Sequence, residues 1–262
     1  MKAQTCEKGK VIELHLDAPQ LHADKTIWVY LPFGYDKSGK HYPVIYMHDG
    51  QNVFDHAESY KREWHVEEKL NNLHSEAIVV GIEHGGSVHR IDELTPYKNE
   101  AYGGGHADDY LDFLINILKP HIDSTHRTMP EKEHTTIFGS SVGGLISFYA
   151  LLKHPEVFGS AGVFSPSFWF SEEIYKLIED TNAISGRIYF MAGDHESKDM
   201  LPDLDRMEKL VLERVQDKGQ IHKKIVRNGR HNEKSWRKQF ADAYLWLMQN
   251  EITGSNSNEL NI

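Results

Sequence analysis

Gly139-Ser140-Ser141-Val142-Gly143 is a G-x-S-x-G string, the spacing that stands a serine on a sharp turn between a strand and a helix. Chance gives about 0.1 such strings in a chain of this length and composition, so the setting must carry the argument. An apolar run at 135–138 precedes the string and a helical pattern at 142–153 follows it. Glycines flank the serine because a Cβ there would collide as the backbone reverses. Ser141 is therefore the candidate nucleophile of an acyl transfer. The N–H of Val142, at the start of the following helix, would face the developing oxyanion.

Such a serine needs a base, and chain order Ser…acid…His places it after the last strand. His231 in Asn228-Gly229-Arg230-His231-Asn232-Glu233 stands there. The orienting acid belongs after the preceding strand, where Gly193-Asp194-His195-Glu196 offers two carboxylates. A loop needs a residue or two to turn its side chain toward the histidine, which favours Glu196 over Asp194 without excluding the latter. The loop after the third strand, His48-Asp49-Gly50-Gln51-Asn52, supplies the other half of an oxyanion hole, with the backbone N–H of Gln51 as the donor.

The elements that must hold these residues follow from periodicity. Strand-like runs occupy 11–16, 26–31, 44–48, 77–82, 135–138, 162–164, 188–192 and 221–226, and helical patterns occupy 106–121, 142–153, 172–179, 201–217 and 234–249. The first two strands are joined by a short connection and suit antiparallel pairing. From residue 44 onward strands alternate with helices, which requires a mostly parallel sheet covered on both faces. The expectation is α/β: an eight-stranded α/β-hydrolase sheet in one domain over 1–252, with a flexible tail at 253–262. The helix at 106–121 should end at Pro120, and Gly103-Gly104-Gly105 before it reads as a tight turn, with a flexible hinge or a close backbone approach as the alternatives.

Composition narrows the function. With 29 Lys+Arg against 39 Asp+Glu the formal net charge is −10, which disfavours nucleic acid and anionic membrane surfaces as partners. No apolar run approaches the roughly 18 residues of a membrane span, no signal-like segment is visible, and the lone Cys6 cannot form an internal disulfide. A cytoplasmic location is the expectation, or export if a leader precedes these residues. Seventeen histidines raise the question of metal, yet no H-E-x-x-H, C-x-x-C or compact His/Cys quartet exists, so no metal is expected, and acyl transfer through a serine, a base and an acid calls for no organic cofactor.

Four separated segments then resemble one family. Met47-His48-Asp49-Gly50-Gln51-Asn52-Val53-Phe54-Asp55, the glycine–serine elbow at 139–144, Phe164-Ser165-Pro166-Ser167-Phe168-Trp169, and Gly229-Arg230-His231-Asn232-Glu233 with Trp236 are similar to the "putative esterase" branch of the α/β-hydrolases. That branch holds enterochelin, feruloyl and acetyl xylan esterases and S-formylglutathione hydrolases. The resemblance spans about residues 10–250. It implies Ser141 as nucleophile, His231 as base and an acid within 193–196. It also implies a substrate-binding loop containing Ser165, Phe168 and Trp169, and a cleft-side segment with Arg90 and Tyr97; a structural ion pair is the other role open to Arg90, and a place in the core the other role open to Phe168. The expected activity is serine carboxylesterase action on a small, aromatic or carbohydrate-linked ester. An acyltransferase, a siderophore-type esterase or an inactive binding module are the alternatives.

Overall fold

The structure, a computed structural model, describes residues 8–54 and 63–249. Cys6, Asp55 and the tail at 253–262 lie outside the described residues. Lys10–Ala18 alternates charged and apolar residues and forms β1, an edge strand whose polar side chains face water. It pairs antiparallel with β2 (Ala23–Leu31), which pairs antiparallel with β4 (Ile78–Ile82). The remaining strands are β3 (Val44–His48), β5 (Thr135–Ser140), β6 (Ser160–Phe164), β7 (Arg187–Gly193) and β8 (Ile221–Val226). They run parallel, and the sheet order is β1-β2-β4-β3-β5-β6-β7-β8. All eight strands anticipated from periodicity are present, in the α/β-hydrolase arrangement.

The central strands β3, β4, β5 and β6 are buried along their whole length, as strands covered on both faces must be. Alternate residues feed two cores. Tyr46, Val80 and Ile137 point to one face with Leu111, Ile146 and Leu204; Ile45, Met47, Phe138 and Phe164 point to the other with Trp64, Trp236 and Phe240. Helices α1 (Val66–Asn72) and α8 (Glu233–Leu247) cover the second face, and α3 (Ala107–Phe113) and α5 (Val142–Lys153) lie against the first. Helix α2 (Gly86–Leu94) follows β4.

Pro120 does not end its helix. After α3 a π-helical turn, Leu114–Leu118, leads into α4 (Lys119–Thr125), so the helical path continues past the proline. The wide turn replaces the i→i−4 bonding that the pyrrolidine ring would block, leaving Pro120 within a first turn where no N–H is missed. Helices α6 (Glu173–Asp180) and α7 (Met200–Leu212) complete the set. The turns after β3, β5, β6, β7 and β8 all open on the carboxyl edge of the sheet, where an open α/β sheet binds its ligand.

Candidate active site

Ser141 sits between β5 and α5 with φ 60° and ψ −125°, a backbone conformation strained for any residue with a side chain. The turn closes only on glycine. A Cβ on Gly139 would lie 2.6 Å from the Gly143 carbonyl, and one on Gly144 would lie 2.7 Å from the Phe164 oxygen. The first bond of α5 runs from the Leu145 N–H to the Ser141 carbonyl, so the N–H groups of Val142 and its two successors precede the helical ladder. The Ser141 hydroxyl is 3.4 Å from that of Ser167.

Ser141 and His231 line the same two cavities. One, about 650 Å³, is bounded on its far side by Asp49, His84, Arg90 and Trp64; the other, about 380 Å³, by Ser167, Trp169, Asp199 and Met200. His231 reaches them from the short turn after β8, which is pressed against the acid loop after β7. A Cβ on Gly193 would lie 2.3 Å from the Gly229 carbonyl carbon, so these turns touch backbone to backbone. Asn232 then caps α8 by accepting the Ser235 N–H at 3.0 Å.

The two candidate acids part company here. The Glu196 side chain is buried, 1% exposed, and its Oε2 accepts from His231 Nδ1 at 2.7 Å. Its Oε1 accepts from the Ser165 hydroxyl at 2.7 Å and the Gly193 N–H at 2.6 Å. Asp194 turns outward. It accepts the Asn228 N–H at 2.6 Å and lies 2.7 Å from His195 Nδ1, a contact that holds its carboxyl below the usual range. Asn228 has φ 58°, so Asp194 stabilises the left-handed turn that delivers His231.

On the opposite flank, Asp49 takes a left-handed conformation, φ 58°, at the end of β3. Gly50 follows because a Cβ there would lie 2.6 Å from the backbone of Gly81 in β4. Arg90 donates from Nε and Nη2 to the two oxygens of Asp49 at 2.5 and 2.8 Å. Burial would raise the Asp49 carboxyl, but the guanidinium outweighs it and holds that carboxyl below its ordinary value. Gln51 exchanges hydrogen bonds of 3.3 Å with the backbone of His84, its side-chain amide donating to the carbonyl and its Oε1 accepting the N–H. Beneath the elbow, buried His48 lies 2.8 Å from the Tyr110 hydroxyl through Nδ1, and its Nε2 has no hydrogen-bond partner. Burial depresses this imidazole to about 4.

Of the residues assigned to substrate contact, Trp169 borders the smaller cavity and is 47% exposed. The other three do not line either cavity. Phe168 is core, edge-on to Phe148 at 5.3 Å. Tyr97 is half-buried against Tyr149. Ser165 is buried behind Glu196, because the loop after β6 folds inward to bond Met191. Arg90 both pairs with Asp49 and faces the larger cavity. Sequence reasoning missed Tyr102, an exposed ring edge-on to Trp169 at 5.6 Å; its position beside three glycines gave no signal. Among the described residues no cluster of three or more metal-ligating side chains occurs, and no helix is long and apolar enough to cross a membrane.

A family model described as "Putative esterase" matches residues 18–247. The chain is 26% identical over 238 residues to the uncharacterized protein YbbA of Bacillus subtilis, covering 86% of this chain and 92% of that one. It is 30% identical over 177 residues to the siderophore enterobactin esterase of Emericella nidulans, spanning 60% of this chain but 56% of that protein. It is also 30% identical over 178 residues to an endo-1,4-beta-xylanase/feruloyl esterase of Xylanibacter ruminicola, spanning 66% of this chain and 23% of the other. Among solved structures, the enterobactin esterase FES of Shigella flexneri superposes with a TM-score of 0.78 at 20% identity, over 95% of this chain and 63% of that one. The BES protein of Bacillus cereus gives 0.71 at 17% identity, over 90% and 94%.

Proposed function

The chain belongs to this esterase family, and from that membership we propose that it is a serine carboxylesterase working through Ser141, His231 and Glu196. One observation carries the reading: a strained elbow serine opens onto the same cavities as a histidine whose Nδ1 is held at 2.7 Å by a buried carboxylate. Glu196 keeps the imidazole proton on Nδ1, so Nε2 faces the cleft as a base. His231 takes the Ser141 proton, the serine oxygen attacks the ester carbonyl, and the negative charge forms before the N–H groups of Val142 and Gln51. Collapse expels the alcohol, which receives its proton from His231. Water then repeats the sequence on the acyl-enzyme. No cofactor enters these steps.

The exposed ring of Trp169 at the smaller cavity, with exposed Tyr102 edge-on to it, favours an ester carrying a flat ring, since large exposed aromatics at a cleft mark a ligand face. Named relatives that act on siderophore and feruloyl esters support the same class. The test is hydrolysis of p-nitrophenyl esters from acetate to decanoate alongside methyl ferulate. Ser141→Ala should lower kcat by about 10⁴-fold or more with the fold intact. Retention of more than a tenth of the activity would overturn the nucleophile.

A further inference from the structure

Glu196 does not rest on the histidine alone. Its second oxygen is fixed by the Ser165 hydroxyl, and the Ser165 oxygen in turn accepts from Trp236 Nε1 at 2.8 Å. Trp236 stands edge-on to the His231 ring at 5.1 Å and stacks on Trp64 at 5.9 Å. A hydroxyl carries one proton. Because Trp236 can only donate, the Ser165 proton is directed to Glu196 and cannot swing elsewhere. The backbone reinforces this. Ser165 has φ 41°, an uncommon conformation for a side-chain-bearing residue, and its N–H is tied to the Met191 carbonyl at 2.6 Å. The same loop reaches the elbow, since the Ser167 N–H donates to the Ser141 carbonyl at 3.1 Å.

We propose that Ser165 and Trp236 are positioning residues of the reaction, a two-step hydrogen-bond relay that sets the rotamer of Glu196 and through it the orientation of His231. This rests on the proposed esterase reading. It replaces the substrate-binding role expected of Ser165: the side chain is fully buried and its hydroxyl is committed on both sides. Trp236 has two jobs, because its ring also borders the larger cavity while its N–H anchors the relay.

The relay predicts a pattern that loss of packing would not give. Ser165→Ala removes one oxygen from a buried, fully bonded site and should lower kcat on the order of 10- to 100-fold, the scale of one hydrogen bond to a charged group. KM should stay within about twofold, since the hydroxyl does not face substrate. Trp236→Phe keeps a ring against His231 and Trp64 and should lower kcat less, with little further loss in the Ser165→Ala background. In a Glu196→Gln background, Ser165→Ala should cost almost nothing more, because its route to the reaction is gone. The low-field proton resonance of His231 Nδ1–H should shift or broaden in Ser165→Ala while thermal unfolding stays cooperative. Additive losses in the double variant, or an unmoved resonance with unchanged kcat, would overturn the relay. A raised KM with unchanged kcat would return Ser165 to substrate contact. The resonance is read without substrate, so the relay can fail while Ser141→Ala still abolishes turnover, and the reverse is equally visible.

Discussion

The two flanks of the cleft use carboxylates in opposite ways. On the His231 side, Glu196 takes its hydrogen bonds from a hydroxyl, a backbone N–H and an imidazole, with no guanidinium or ammonium among them. On the flank of the proposed oxyanion hole, Asp49 is clamped by both arms of Arg90. In the proposed reaction the difference follows from what each charge is for. A carboxylate that must stabilise an imidazolium loses its effect if a permanent cation stands beside it, so neutral donors hold it in place. A carboxylate whose task is to hold a left-handed turn next to a forming oxyanion would repel that anion unless neutralised. Arg90 serves that end, and its pairing with Asp49 settles the ion-pair role that the sequence left open.

The sharpest way to break the comparison is to remove the charge on one flank only. Glu196→Gln is close to isosteric, yet an amide can present its NH₂ to His231 and favour the wrong tautomer. A loss in kcat of about 10³- to 10⁴-fold is expected, with KM little changed. Loss of less than tenfold would mean that Glu196 is structural. On the other flank the equivalent test is steric. Gly50→Ala forces a Cβ against the Gly81 backbone, which it would approach to 2.6 Å, and displaces the turn carrying the Gln51 N–H. Losing one oxyanion donor should lower kcat about 10²- to 10³-fold. If circular dichroism is unchanged and kcat holds, the second donor is not in this loop.

How much of this was legible depends on range. The bounds of β3 and α5 are legible as runs of apolar residues because burial there follows local pattern. Ser141 and His231 stood out because an elbow and a fixed chain order are sequence features. Spacing within one loop favours Glu196 over Asp194, and it is the Glu196 carboxylate that lies 2.7 Å from His231 Nδ1. The burial of Ser165 is not legible, because its hydroxyl partner Trp236 lies 71 positions away and nothing local distinguishes an inward from an outward hydroxyl. Phe168 and Trp169 are adjacent aromatics, one buried and one 47% exposed, which composition cannot separate. Helices α1 and α2 went unseen: the first spans seven residues and the second starts on a left-handed glycine, so neither shows two clear turns of pattern.

The oxyanion flank also carries a titration that the acid flank does not share. His48 lies against the elbow, where a Cβ on Gly139 would come 2.9 Å from its ring. Burial lowers its value to about 4, so the folded protein binds this proton more weakly than the unfolded chain. The sign follows from linkage. The stability this neutral ring permits is complete above about pH 6.5, is lost as pH falls toward 4, and levels off below. The span is at most about 3 kcal/mol. His48→Asn keeps a partner for Tyr110 without titrating. The difference between its urea unfolding free energy and that of the wild type should change across this window and stay constant above it; a constant difference throughout would exclude His48.

The smallest effect is reserved for the carboxylate that the comparison leaves out. Asp194 is two residues from Glu196, and a sequence reading could give either the same duty. It accepts the Asn228 N–H and lies against His195, facing away from His231. Asp194→Asn retains an oxygen to accept that N–H. Its kcat should therefore stay within about threefold of wild type, as for surface changes away from a network. The only visible change should be at the Asn228 turn, as faster amide exchange there. A loss approaching that of Glu196→Gln would mean that the exposed acid shares the orienting role, and the division between a charge kept free for the imidazolium and charges spent on holding turns would fail.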